Sequence, residues 1–468
     1  MTRISIALSG FMFLACPVVV DAVEPADIDQ LFVRYSTGDS PGCSVGVYQS
    51  GEIVFSKGYG FANIEHRIPN SATTKFRIAS VSKQFAAAAI ALLAEDGKLS
   101  IEDDVRKYFP DLPDYGTTIT IAHLVYHTSG IRDYLDLGDL AEWGDAYSTD
   151  QALAMIARQK AVNFEPGSQY AYSNSGYIML GRIVEIVTGQ TLDDWSQENM
   201  FKPLEMHDTY WHANHSNIVS NRAYGYSRLE GGNYRTSLTT LDIAGDGALM
   251  TTIEDLLLWD NNFYSNQLGK GDQSLVNLME TPGGFSNGDI GDYGFGLSID
   301  NFAGTPEIWH SGGWYGVSTS MHRYPEHQLG VVVLCNDDWA RSTTMARDIA
   351  ALYMGLDLPT LSNVDNVPTV LREIGESASE ISAADTALFD ELVGSYYSAE
   401  LDYTLRLDVE DGRLRALRRS GPEYIEKMNS NLFTYRGYLI VIERDEHDAV
   451  SAITLNSDWA KGLRFIRK

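Results

Sequence analysis

The sequence predicts an α+β fold: an antiparallel sheet flanked by helices, with a helical insertion, followed by a small antiparallel β-domain, a barrel or a sandwich. Strand-like runs occur from about residue 43 to 59 and again from about 308 to 335, with helical periodicity between them. A polar stretch from Leu361 to Ala384 then breaks the pattern, and apolar residues alternate beyond it, as in strands with two unlike faces. At 468 residues the chain exceeds one ordinary core. The expected units are a main domain over 23–356, a linker over 357–387 and a β-domain over 388–468.

Arg3 precedes an apolar run from Ile4 to Val20, and Val20-Asp21-Ala22 places small residues where a signal peptidase needs them. Residues 1–22 therefore read as a signal peptide cleaved after Ala22, and the protein as exported, periplasmic or secreted. A lipoprotein site at Cys16 fits less well, because Phe13 stands where leucine is preferred. No second segment is long enough to span a bilayer, so no stable membrane insertion is expected after cleavage. Cys43 and Cys335 then remain. They could pair in an exported chain, or stay as buried thiols in their apolar runs.

Cys43 to Gln49, Ser50-Gly51 and Glu52 to Tyr59 read as a hairpin. A helix follows Ser80, with Phe85, Ala89, Leu92 and Leu93 on its buried face and Gly97 at its end. Residues from about 100 to 265 read as helical pieces, among them Gln151 to Arg158, Ser175 to Val187 and Thr252 to Phe263. Ser318 to Arg323 and Leu329 to Cys335 return to strand. Tyr403, Leu405, Leu407 and Val409 alternate up to an Asp411-Gly412 turn. Closing the first hairpin on the late strands brings the middle of the chain over one sheet.

Apolar content of 44% and charged content of 21% are ordinary for a globular protein, whereas a net charge of −28 argues against nucleic acid or an anionic membrane as partner. The acidity itself indicates no substrate; the expected partner, a small-molecule or peptide substrate, rests on the residues below. Oligomeric state is not readable, and no cofactor or metal is implied.

Ser80 and Lys83 are three residues apart at a helix start, so both side chains share one face and the amine can serve the hydroxyl. Tyr172 and Asn174 follow, then His310 with Gly312 and Gly313. Tyr172 can move a proton, Asn174 can orient a carbonyl or the lysine, and His310 can bind a carboxylate or relay a proton. Singly, each has a plain structural reading: an N-cap, a solvated lysine, one core tyrosine among 26, a strand-end histidine. Their joint order favours a site.

Other patterns fail on context. G-x-S-x-G occurs around Ser40, Ser44 and Ser286, but none follows a strand and opens a helix. His123 and His127 have zinc-pair spacing without the intervening glutamate or a supporting third ligand. His212 and His215 lie in an aromatic loop.

The three motifs resemble those of the serine β-lactamase and penicillin-binding protein superfamily. The match is nearest to the branch of class C β-lactamases, D-alanyl-D-alanine carboxypeptidases, D-aminopeptidases and esterases. It runs over about residues 35 to 355 and includes Arg77-Ile78-Ala79, His127-Thr128-Ser129-Gly130 and Phe164-Glu165-Pro166-Gly167. The resemblance implies a β-lactamase/transpeptidase-like fold and a small antiparallel, lipocalin-like C-terminal β-barrel that covers or shapes the site's mouth. It implies Ser80 as the acylated serine, Lys83 as its partner and Tyr172 as a general base. Asn174, His310, Gly312 and Gly313 become substrate-binding residues, with an oxyanion hole at the N–H groups of Ser80 and Gly313. Histidine replaces the third-motif lysine expected of class C β-lactamases, which shifts the expectation from β-lactams to D-peptides or short esters. The alternatives are a β-lactamase, or a non-catalytic binder of peptidoglycan or peptide.

Overall fold

The computed structural model describes residues 23–36, 38–144, 146–356, 383–429 and 432–468. The expected signal peptide and most of the expected linker lie outside the described residues. The first hairpin, β1 (Cys43–Gln49) and β2 (Glu52–Tyr59), turns at Ser50-Gly51 with φ of 50° and 88°. From the far end of the main domain come β3 (Ser298–Phe302), β4 (Thr305–Trp314), β5 (Val317–Tyr324) and β6 (Leu329–Cys335). The sheet order is β3-β4-β5-β6-β1-β2 with every pair antiparallel, so the two ends of the domain meet at β6 and β1.

β6 is apolar throughout because both its faces are covered. Val331, Val333 and Cys335 join Cys43, Val45 and Val47 beneath the terminal helices Pro25–Leu31 and Ser342–Tyr353. Val332 and Leu334 point into the helical side of the domain. Cys43 and Cys335 are direct register partners with Cα atoms 4.0 Å apart, and they form a disulfide. Register decides what composition left open.

The helix after Ser80, α1 (Lys83–Glu95), lies deep in that helical side. Its expected face is buried, but so is every residue from Lys83 to Leu93. Alanines at 86–89 and 91 let neighbours close in all round, a pattern that amphipathic spacing alone understates. It is crossed by α2 (Asn174–Thr188). From α3 (Ile253–Tyr264), Trp259 sets its ring 4.3 Å from that of Phe85 and donates to Gln84 Oε1 at 2.6 Å.

The stretch 207–252 departs from the helical expectation. It consists of loops and short strands, as its tyrosines, threonines and glycines without helical period allow. One of them, Leu249–Thr251, pairs with Tyr210–Trp211 on one side and Phe76–Arg77 on the other, which brings residues 246–251 against the Ser80 turn.

A helix over Ala383–Leu392 straddles the boundary expected at 387/388. Nine antiparallel strands follow among the described residues and nearly close a barrel. The two ends of the strand order, Gly421–Tyr424 and Glu426–Asn429, are separated in sequence by Ile425 alone. Leu137, Leu140 and Met155 of the main domain complete the barrel's core. Beside them Arg132 bonds Glu400 at 2.7 Å, both side chains being buried, and also reaches the carbonyl of Lys461. No helix among the described residues is long and apolar enough to cross a membrane.

The disulfide ties strands from opposite ends of the domain, 292 residues apart, so its main effect falls on the unfolded chain. Replacing both cysteines by alanine is expected to lower stability by about 2–4 kcal/mol. Equilibrium denaturation of the double variant checks this, with near-native secondary structure at low denaturant.

Candidate active site

Ser80 lies in a 3-10 turn, Ala79–Ser82, that runs directly into α1. Ala79 is held at φ 47°, a region that non-glycine residues seldom enter and that surrounding structure must impose. The imposing neighbour is β4. A Cβ on Gly312 would stand 2.4 Å from the carbonyl oxygen of Ile78 and 2.5 Å from Thr319 Oγ1, so only glycine allows the strand this close. Thr319 donates to that same carbonyl at 2.8 Å and staples β5 to the turn. The N–H groups of a first turn have no intrahelical acceptor. Ser80, Tyr172, Asn174 and Gly313 line one cavity of about 190 Å³, whereas Gly312 packs on the turn and opens on the neighbouring depression.

Lys83 is wholly buried below Ser80, and its amine has three partners: Ser80 Oγ at 3.2 Å, Asn174 Oδ1 at 2.8 Å and the backbone carbonyl of Asp246 at 2.8 Å. Burial pushes its pKa down to about 8, against the pull of Asp246 and Asp133. The amide of Asn174 cannot flip, because its Nδ2 donates to Asp133 Oδ2 at 3.1 Å. The backbone N–H of Asn174, in the first turn of α2, also donates to Asp133. Asp133 thus caps α2 from outside and aims Asn174 Oδ1 at the lysine. A neutral amine has two N–H bonds and one lone pair. Asn174 Oδ1 and the Asp246 carbonyl can only accept, so the lone pair faces the one partner that can donate, the Ser80 hydroxyl.

Tyr172 lies across the same serine, with Lys83 Nζ 4.8 Å from its ring centroid. Burial raises the phenol above its usual pKa, a hydrogen bond with Ser80 pulls the other way, and Asp246 and Asp133 add to the rise. Of the two groups beside Ser80, the lysine gives up its proton first. His310 stands with its ring centroid 6.2 Å from that of Tyr172. Its Nδ1–H donates to the carbonyl of Ser311 at 2.6 Å and its Nε2 accepts the hydroxyl of Tyr293 at 2.9 Å. Burial and the nearby lysine push its pKa down to about 3. The ring is therefore neutral with both nitrogens engaged, and it presents no positive charge to a substrate carboxylate.

The rejected patterns find local employment. Ser44 donates to the carbonyl of Ser71 inside β1, and Ser286 is an exposed loop residue. His123 Nδ1 accepts from Thr120 N–H in a capping box. His127 accepts from Ser173 N–H at 3.0 Å and sits 4.3 Å from the Tyr172 ring, so it supports the Tyr172–Asn174 segment. The segments His127–Gly130 and Phe164–Gly167 lie against each other, with Gly167 N–H bonded to the carbonyl of Thr128 at 2.8 Å. Asp133, Asp246 and Tyr293 carry no motif and were not singled out from sequence.

Residues 28–353 match the β-lactamase family. The chain belongs to that family. It is 30% identical over 369 residues to penicillin-binding protein 4* of Bacillus subtilis, covering 74% of this chain and 77% of that one. It is 27% identical over 314 residues to a D-aminopeptidase of Gluconobacter oxydans, covering 66% of this chain but only 58% of that enzyme's length. The octameric penicillin-binding protein homologue from Pyrococcus abyssi superposes with a TM-score of 0.62 at 25% identity, over 94% of this chain and 98% of that one. The protein is accordingly a serine hydrolase of the β-lactamase and penicillin-binding protein superfamily.

Because only neutral Lys83 has a lone pair for Ser80, reactivity is expected to rise with pH through about 8 and level off above it. The rate of Ser80 modification by an uncharged fluorophosphonate, followed from pH 6 to pH 10, checks this. Lys83→Arg, which cannot deprotonate, should lose the limb along with most of the rate.

Proposed function

We propose that the protein is an exported serine hydrolase that cleaves an amide bond next to a D-amino acid through an acyl-enzyme on Ser80. The observation that carries the catalytic part is the lone pair of Lys83, left facing Ser80 by two partners that can only accept. Ser80 Oγ attacks the carbonyl carbon as its proton passes to Lys83 Nζ. The N–H groups of Ser80 and Gly313 take the charge that develops on the carbonyl oxygen. The C–N bond breaks and the leaving amine receives the proton, with Tyr172 as relay. Water then adds to the ester, and the acid departs as Ser80 regains its hydrogen.

Similarity to the Gluconobacter D-aminopeptidase and the Bacillus penicillin-binding protein supports D-amino-acid amides as substrates. The β-lactamase reading is weaker, since neutral His310 stands where a lysine would meet a β-lactam carboxylate. A binding protein would gain nothing from an amine desolvated beneath a serine. The apolar leader and the Cys43–Cys335 disulfide support an oxidising destination outside the cytoplasm.

Intact mass and peptide mapping after fluorophosphonate treatment are expected to show one adduct, on Ser80, absent from Ser80→Ala. Wild type should hydrolyse D-alanine p-nitroanilide well above its L-enantiomer and above penicillin G, with the variant inactive in each case. Labelling elsewhere, or turnover by Ser80→Ala, defeats the catalytic assignment. Preference for the L-amide defeats the substrate class alone.

A further inference from the structure

The cavity that holds Ser80 contains a charge for which the reaction above has no use. Arg77, three residues before the nucleophile, lines that cavity together with Leu241 and Ile243. Its position is fixed by the pairing of Phe76–Arg77 with Leu249–Thr251. It is only 9% exposed, its Nε is enclosed without an acceptor, and no hydrogen bond or ion pair reaches its guanidinium among the described residues. A buried cation without a partner is costly and is seldom kept without a reason.

Asp246 and Asp242 favour the charge of Arg77 through the field alone, and neither carboxylate hydrogen-bonds the guanidinium. The carboxylate of Asp246 accepts the hydroxyl of Tyr134 at 2.7 Å. That of Asp242 holds His215, through the backbone N–H at 2.6 Å and the ring Nδ1 at 3.0 Å. Leu241 and Ile243 offer no side-chain acceptor. Arg222 lies near enough to add a second positive charge to the field at Arg77. Burial lowers Arg77 to about 10, so it remains a cation at neutral pH.

Resting on the hydrolase reading above, we infer that Arg77 anchors an anion subsite of this cavity, and that the preferred substrate carries a carboxylate on its acyl part, seated by Leu241 and Ile243. A guanidinium presents paired N–H groups that match the two oxygens of a carboxylate. Apolar walls strengthen that contact and accommodate the methylenes leading to it. A D-acyl residue with an acidic side chain fits this description.

The test compares D-glutamyl and D-glutaminyl p-nitroanilides, which differ in side-chain charge at nearly equal shape, on wild type and Arg77→Gln. Wild type is expected to favour the glutamyl substrate in kcat/KM by about 10- to 100-fold, the usual worth of a charge-assisted hydrogen bond. In Arg77→Gln that ratio should fall close to one, through a loss far larger on the glutamyl than on the glutaminyl substrate. A wild-type ratio of one or less, or a ratio that survives the substitution, overturns the inference. Calorimetric binding of butyrate against butyramide makes the same comparison without turnover. It still tests the subsite if Ser80 fails to label, which is the separate failure of the hydrolase reading, or if Arg77→Gln fails to fold. Wild type that does not prefer butyrate overturns the inference, and a preference that Arg77→Gln abolishes while Lys83→Met keeps it supports it.

Discussion

The arrangement depends on an amide that cannot turn. Asp133 takes both N–H groups of Asn174, the backbone one and the side-chain one, and so forces Asn174 Oδ1 toward Lys83. With a freely flipping amide, Lys83 could find a donor where it now finds an acceptor, and its lone pair would have two possible directions. The backbone carbonyl of Asp246 closes the second direction. Specific reactivity at Ser80 thus follows from two acceptors and a buried carboxylate, none of which is a nucleophile or a base. Asp133 is itself buried, and burial raises its pKa to about 6 despite the backbone N–H groups of Asn174 and Leu135 and the nearby lysine, which favour its charge. The site therefore keeps an ionised carboxylate at neutral pH by hydrogen bonding rather than by solvent.

The sheet supplies the complementary constraint. β4 is pressed onto the turn before Ser80, Gly312 is the residue that permits the approach, and Ala79 absorbs it in a left-handed backbone conformation. The closure of β1 on β6 fixes β5 and hence β4, so the first and last strands of the domain determine how closely Gly313 approaches the nucleophile. That coupling gives a disulfide between Cys43 and Cys335 a bearing on a site it does not touch.

Legibility in the sequence followed the range of each interaction. Ser80 and Lys83 were readable because an i, i+3 pair on a helix is a local fact, and Tyr172 and Asn174 because they form one short motif at a helix start. The hairpin and β6 were readable from period and turn chemistry. Asp133, Asp246 and Arg77 were not assigned roles, because each sits in a loop or a short strand whose spacing leaves no pattern. His310 was readable as a residue but not as a state: burial and the contacts to Ser311 and Tyr293 make it neutral, and composition reports neither. The full burial of α1 escaped because alanine is apolar enough to be buried and small enough to look indifferent.

The barrel enters through two adjacent residues. Arg132 points into the interface, where Glu400, the carbonyl of Lys461 and Gln159 surround it. Asp133, the next residue, points into the site and holds Asn174. Ser175 Oγ donates to the carbonyl of Arg132 at 2.8 Å and accepts the N–H of Tyr134 at 2.8 Å, so this segment is stitched to the start of α2 on both sides of Asp133. Among the described residues the barrel supplies none of the cavity's lining. Its contribution is to occupy the far side of the Arg132–Asp133 segment with a buried ion pair. Removing one member of such a pair would leave the other charged in a low-dielectric interface, and any shift of Arg132 would reach, within one residue, the carboxylate that orients Asn174. The barrel is thereby a structural part of the geometry at Ser80 even though it contributes no atom to it.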